Sequence, residues 1–304
     1  MPPLKAPPRK PTTATVTPTK PLARRTYATG TEDGLPGEAT DQDVKMQNLR
    51  WMIVAPPGWG KTQLMFNFPN ALNLAVEEGH KFMAGFKIII DEWEGSAEST
   101  DSDDNLHISF LEAVKRIEES QRFEFISIDT VDALCKMCAD YYTSTKKVEH
   151  ISDLGDYGKG YDLAQNDPMR KALTTIFKSG RGIGLITHQY VTQSNFKKGV
   201  AAKKETTLPP GIFKLIMPQM DIVVHGEFGG IREGQKHRDR ILKSEGSEDI
   251  LAKNRGGILP PAWIVPVDPI EAQAQIREFF TGSKEERAAR VKEAHEHYLS
   301  FYED

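Results

Sequence analysis

Residues 48–68 read NLRWMIVAPPGWGKTQLMFNF, and this stretch constrains the chain more than any other. An apolar run of strand length, 48–55, contains Trp51, Ile53 and Val54. Two prolines and two glycines then break the strand, and Lys61 and Thr62 open a segment, 61–68, with helical apolar spacing. Strand, glycine-rich turn and helix start in that order make a cradle for phosphate. Glycines let backbone N–H groups turn inward, and the helix start favours an anion. The expected contacts are Pro57, Gly58, Trp59, Gly60, Lys61, Thr62 and Gln63, with Lys61 reaching the outer phosphates and the Thr62 hydroxyl on Mg²⁺. The strict pattern begins with Gly; Ala55 holds that place here, a small residue of similar reach.

A chain of 304 residues with formal net charge −4 holds one large domain plus tails and has no global basic signature, so contact with nucleic acid has to come from a local patch. No apolar run approaches a membrane span, and no signal-peptide core follows the first residues. The two cysteines rule out a disulfide framework and fit a reducing, cytoplasmic setting. Residues 1–45 are rich in Pro, Thr and charge with no apolar periodicity, and read as a disordered tail. Its Lys5, Arg9, Lys10, Lys20, Arg24 and Arg25 fit either a solvated tail or a nucleic-acid contact.

From 46 to 266 short apolar runs alternate with helical stretches. Strands are expected at 72–76, 86–90, 123–129 and 183–188, and helices at 108–120, 131–142 and 161–179. That alternation predicts an α/β fold with a mainly parallel sheet flanked by helices. Strands at 221–228, 238–244 and 263–265 predict an antiparallel C-terminal extension, and 267–304 a charged helical segment, solvated or facing a partner.

Acids and cations fall at the strand ends. Asp129 closes the strand FEFISID and is the candidate to hold Mg²⁺ through water, with Asp132 as the fallback or a first-turn acid. Glu77 and Glu78 close LNLAV, and a carboxylate there reaches a water near the γ-phosphate; Glu77 is the first choice. Thr187, His188 and Gln189 end a further strand, where His188 is the candidate γ-phosphate sensor. The segment 190–210 that follows carries Lys197, Lys198, Lys203 and Lys204, a candidate DNA-binding loop, with Tyr190 and Phe196 available to stack on bases or pack down. In AKNRGG, Lys253 and Arg255 point the same way on an extended segment and could reach a γ-phosphate across a subunit interface. Cys135 and Cys138 supply two ligands where zinc wants four, and read as helix thiols; His295 and His297 do not form HExxH. The glycines of 153–161, DLGDYGKGY, permit a tight turn before a helix, or a face lined by Tyr157, Lys159 and Tyr161.

Together these motifs resemble the RecA-like branch of P-loop ATPases. KNRGG resembles the KNRFG of RadA-type proteins, with Gly256 in place of Phe. APPGWGKTQLMFNFP, IDTVDALC, HISDLGDYGKGY and ITHQ together look like phage-encoded nucleotide-binding proteins of the Sak-type recombination group, over 49–265. The resemblance implies a RecA-like core using ATP and Mg²⁺, with Glu77, Lys61, His188, Lys253 and Arg255 in catalysis. It also implies a homo-oligomer acting on single-stranded DNA in recombination, annealing or replication beside a single-strand binding protein, in a bacterial host's cytoplasm. Two other classes remain: a nucleotide-switch assembly protein, and a P-loop nucleotide kinase. The kinase would need an arginine-rich lid, for which only scattered arginines such as Arg170 and Arg181 are at hand.

Overall fold

Trp51, Met52, Ile53, Val54 and Ala55 are all buried, and they form most of β1 (Arg50–Ala55). A strand buried on both faces needs helices on both sides, and the chain provides them. A computed structural model describes residues 44–95, 97–156, 158–192, 203–247 and 250–302, all within one compact unit covering 42–304. After β1 come α1 (Lys61–Phe66), β2 (Ala71–Ala75), β3 (Phe86–Ile90), β4 (Ser99–Thr100), β5 (Leu106–Ile108) and α2 (Phe110–Glu119). Next are β6 (Phe125–Asp129), α3 (Val131–Lys146), α4 (Lys159–Tyr161), a π-helical turn (Asp162–Asn166), α5 (Asp167–Lys178) and β7 (Gly182–Thr192). The remainder is β8 (Lys203–Thr206), α6 (Pro210–Ile216), β9 (Ile222–Phe228), β10 (Arg240–Lys243), β11 (Lys253–Asn254), β12 (Ala262–Val265), α7 (Pro269–Glu278) and α8 (Lys284–Tyr302).

The described strands make a 12-stranded sheet ordered β12-β10-β9-β1-β7-β6-β2-β3-β5-β4, with β11 on β9 and β8 on β7. From β9 to β5 every neighbouring pair is parallel. β10, β11 and β12 are antiparallel, giving the C-terminal extension that the sequence predicts. This is the RecA-like P-loop core, with β7 inserted between the phosphate-loop strand β1 and the Asp129 strand β6. Gly184 on β7 has no room for a side chain, because a Cβ there would lie 2.8 Å from the Phe125 ring and from Met65 Sδ.

Helices pack on both faces of the sheet. One core joins Leu74, Ile128 and Leu185 to α2, α3, α5 and α6; the other joins Trp51, Ile53 and Val224 to α1 and α7. Ala272, Ile276, Phe279 and Phe280 belong to this second core with Trp263, so α7 is an integral layer of the fold. α8 covers β12, burying Tyr298 against Ile241 and Ala262, so the C-terminal segment is neither wholly solvated nor separate from the core. Of the tail expected at 1–45, residues 1–43 lie outside the described residues. The expected helix 161–179 is present, but a π-turn interrupts it just before Pro168.

Candidate nucleotide-binding site

Parallel strands bring their ends to one edge, and register fixes who meets whom there. Ala55 pairs with His188 across β1 and β7, and Ala75 with Asp129 across β2 and β6. The amides of Val76 and Glu77 both donate to the Asp129 carbonyl, at 2.8 and 3.2 Å, which carries the Glu77 side chain over the end of β6. Residues far apart in sequence therefore share one crevice, the position at which open α/β sheets bind ligands.

The phosphate loop spans Pro56 to Gly60. Gly58 and Gly60 have φ of 75° and 99°, a left-handed backbone that glycine adopts without penalty. Pro57 and Gly58 are exposed, and Gln63 is half-buried on α1. Trp59 departs from the sequence expectation. Its ring is fully buried and its Nε1 donates to the Glu227 carbonyl at 2.9 Å, so its side chain anchors the loop from beneath, while its amide donates to the Pro56 carbonyl at 3.3 Å.

Lys61 is buried, and its ammonium donates to the carbonyls of Ala55 (2.8 Å) and Pro56 (3.1 Å) and to His188 Nδ1 (3.2 Å). Burial lowers its pKa against the pull of Asp129, Asp132 and Glu77. His188 Nε2 faces the Glu77 carboxylate at 3.4 Å from either oxygen, and Thr130 donates its hydroxyl to Glu77 at 2.8 Å. Those two bonds hold the Glu77 carboxyl below its ordinary range, and the Glu77 bond raises His188. Glu78 turns outward, its carboxylate pairing with Lys81 at 2.7 Å, so Glu77 is the acid in the crevice.

The Thr62 hydroxyl is close enough to the Asp129 carboxylate to favour its ionised form; burial nevertheless raises Asp129 above the ordinary carboxylate range. A hydroxyl and a carboxylate in contact, beside a phosphate loop, fit Mg²⁺, which takes one or two protein oxygens and completes its shell with water and phosphate. Asp132, the fallback, accepts from Thr207 at 2.8 Å in the first turn of α3.

The other expected residues fall elsewhere. Part of the loop expected after Gln189 is a hairpin, in which β7 runs on to Thr192 and pairs with β8. Lys204 lies in that hairpin and pairs with Glu227 at 2.8 Å, as does Lys243 at 3.2 Å. Lys204 is thus committed to an internal ion pair, unlike the open DNA-binding cation expected. Phe196, Lys197 and Lys198 lie outside the described residues, as does the side chain of Lys203; Tyr190 donates its hydroxyl to Glu205 at 2.9 Å. Lys253 and Arg255 sit at the opposite edge of the sheet. β11 pairs with the start of β9, Lys253 donates to the carbonyls of Met217 and Pro218 (3.4 Å each), and Arg255 pairs with Asp221 at 2.8 Å. One chain does not bring them to its own phosphate loop. Arg181, just before β7, is at that far edge as well, and Arg170 lies on α5. The 150–161 segment is an ordered turn, in which Asp153 accepts from the His150 amide at 3.0 Å; Tyr157 lies outside the described residues. Cys135 and Cys138 are buried on α3, and burial pushes the Cys135 thiol up to about 12.

Two contacts went unread in the sequence. Thr130, next to Asp129, holds Glu77 and also caps α3. Arg240 is buried behind the loop: Nη1 donates to the Trp59 carbonyl at 3.2 Å, and Nη2 to the carbonyls of Pro266 and Val267. No fixed spacing from the GKT run marks Arg240, since only the pairing of β9 with β10 brings it there.

No helix among the described residues is long and apolar enough to cross a membrane. No curated protein matches the chain. Among solved structures, the KaiC-like protein PH0186 from the hyperthermophilic archaeon Pyrococcus horikoshii OT3 is similar at 12% identity and a TM-score of 0.38, covering 74% of this chain and 88% of that one. The AAA_24 family, described as an AAA domain, matches residues 47–256, which run from just before β1 through Arg255. With two thirds of its length inside that match, the chain belongs to the AAA_24 family of AAA-domain P-loop ATPases.

Proposed function

We infer that this protein hydrolyses Mg·ATP and acts through that cycle on single-stranded DNA. The reading rests on one observation, the run of contacts from Lys61 through His188 to Glu77 and Thr130 beside the Thr62–Asp129 pair. Thr62, with Asp129 acting through water, would hold Mg²⁺, which when bound would neutralise charge on the phosphates. Lys61 exchanges its loop carbonyls for the outer phosphates. Glu77, kept ionised by its two partners, orients the attacking water and accepts its proton. His188 touches both the phosphate-binding lysine and the base, and it lies on the strand that continues into the β7–β8 hairpin. A change at the γ-phosphate would be passed along β7, and Lys197, Lys198 and Lys203, which follow it in the sequence, are the cations proposed for the DNA backbone. Lys253 and Arg255 complete the site of a neighbouring copy in a homo-oligomer, with recombination or annealing as the setting.

The test is ATP hydrolysis with and without single-stranded DNA at two salt concentrations, for wild type and Lys61→Ala. DNA stimulation that fades with salt and is absent in the variant supports the reading. Hydrolysis lost in Lys61→Ala but indifferent to DNA in wild type removes the DNA role and leaves the ATPase.

A further inference from the structure

A cavity of about 290 Å³ opens between the sheet and the last turn of α2. It lies at the strand starts, the edge opposite the phosphate loop, because Phe86 opens β3, Leu106 opens β5, and Phe123 and Arg181 come just before β6 and β7. Its walls are Leu72, Ile88, Leu106, Ile117 and Ile126, and Arg122 and Arg181 close it.

Arg181 is only 5% exposed. Its Nε donates to the Phe123 carbonyl at 3.0 Å, and its buried Nη1 has no hydrogen-bond partner. Arg122 lies over the rings of Phe86 and Phe123, at 4.7 and 5.1 Å. Neither arginine forms an ion pair among the described residues, whereas Arg116 at the same rim is paired with Glu98 and Glu112. Lys87 spends its ammonium on the carbonyls of His80 and Met83. Burying a cation with no anion is costly, and here desolvation alone pulls the Arg181 pKa down. If Arg181 served only to hold the Phe123 carbonyl, a neutral donor would do the same at lower cost.

We propose that this cavity binds a small amphipathic carboxylate, an aromatic or branched apolar body of about 10–15 non-hydrogen atoms, with its anion against Arg181 and Arg122. The apolar walls gain by replacing water with hydrocarbon, and a guanidinium offers a carboxylate parallel N–H donors. Shielding from solvent strengthens that pairing and discriminates against a neutral amide of the same shape. The site is independent of the ATPase reading, since it shares no residue with the crevice.

The experiment is a titration of the full chain, followed through its isoleucine methyl NMR signals, with N-acetyl-L-phenylalanine, N-acetyl-L-leucine and their amides. Saturable shifts at Ile88, Ile117 and Ile126 from at least one acid, with its amide at least tenfold weaker, are expected. Arg122→Ala should weaken that acid at least fivefold with ATP hydrolysis unchanged, and Ile117→Trp should abolish binding by filling the cavity. Arg181→Met tests the buried cation directly; if it does not fold, the Arg122 and Ile117 variants decide. Failure of both acids to saturate, equal binding of acid and amide, or indifference to Arg122→Ala would overturn the proposal. A peptide ending in a free Phe carboxylate that binds tenfold tighter than N-acetyl-L-phenylalanine would overturn it too, in favour of a polypeptide C-terminus.

Discussion

The Lys61 ammonium lies 3.2 Å from His188 Nδ1, although the two residues are 127 positions apart. A lysine donating to Nδ1 leaves Nε2 as the nitrogen that carries the imidazole proton toward Glu77. The imidazole thus joins the phosphate-binding cation to the candidate base.

This arrangement gives a pH dependence with a definite sign. His188 titrates above its ordinary 6.5, so its contribution to stability is full below that value and is lost as pH rises through its folded pKa. Glu77 titrates below its ordinary 4.5, so its contribution is present above that value and is lost as pH falls through its folded pKa. The Glu77–His188 ion pair is at full strength between about pH 4.5 and 6.5, where the imidazolium carries a proton on both nitrogens, and the Lys61–Nδ1 hydrogen bond forms with the neutral imidazole as pH rises through the folded pKa. An NMR titration should find His188 above its ordinary value in wild type and lowered in Glu77→Gln; no change between the two would reject the pairing.

Glu77→Gln should reduce ATP turnover by about 10²- to 10⁴-fold, the usual worth of a positioned base, with nucleotide binding retained. Glu78→Gln should leave turnover unchanged, because that carboxylate is 86% exposed and faces Lys81. Single-turnover hydrolysis and a nucleotide-binding titration on both variants check this, and equal losses would sink the assignment.

Asp129 behaves in the opposite sense from Glu77. Its pKa is raised by burial, so the ionised form strains the free protein, and stability falls as pH rises from 3.8 through the folded value. Asp129→Asn should therefore raise the melting temperature of the nucleotide-free chain, by about 2–4 °C for each kcal/mol relieved. The same change should remove the Mg²⁺ dependence of nucleotide binding. Calorimetry with and without Mg²⁺ measures both effects, and a destabilised variant that still responds to Mg²⁺ contradicts them.

Arg240→Met leaves the carbonyls of Trp59, Pro266 and Val267 without their donor. Only the Trp59 carbonyl is buried, and losing its donor costs about 1–3 kcal/mol, partly offset because the variant no longer buries a charge; water reaches the exposed Val267. A net loss of about 1 kcal/mol is expected, with ATP affinity falling several-fold as the loop loosens. Denaturant unfolding and a binding titration test it; full stability with unchanged affinity would show the latch to be inert.

Lys253 and Arg255 are tested by mixing subunits. Chains carrying Lys253→Ala with Arg255→Ala and chains carrying Lys61→Ala should each be inactive alone. An equal mixture of the two should recover activity at about a quarter of its interfaces, where an intact loop meets intact cations. Recovery of none would exclude their action in trans.

Much of the site could be read locally. A strand and the run GWGKT sit within one stretch, so Lys61 and Thr62 are candidates without tertiary information, and Asp129 is a candidate because an acid closing an apolar run follows that loop. The strand 86–90 and the start of α3 were also placed to the residue, because apolar periodicity is a local signal. The C-terminal helices expected as solvated or facing a partner are present, but the packing of α7 and of Tyr298 on the sheet is not legible locally. α8 is highly charged along its length, and its burial against β12 depends on few residues, Tyr298 chief among them.

What the chain determined by itself was the order of its elements and the chemistry available at each strand end. What only the tertiary structure decided was which of those ends meet. Glu77 rather than Glu78 enters the crevice because β2 pairs with β6 in a register that hangs Val76 and Glu77 from the Asp129 carbonyl. Arg240 reaches the phosphate loop through the β9–β10 pairing, and Lys204 turns to Glu227 through the β7–β8 hairpin, 23 positions away by the numbering. Sheet register is a long-range property, set by hydrogen bonds between segments that no local pattern records.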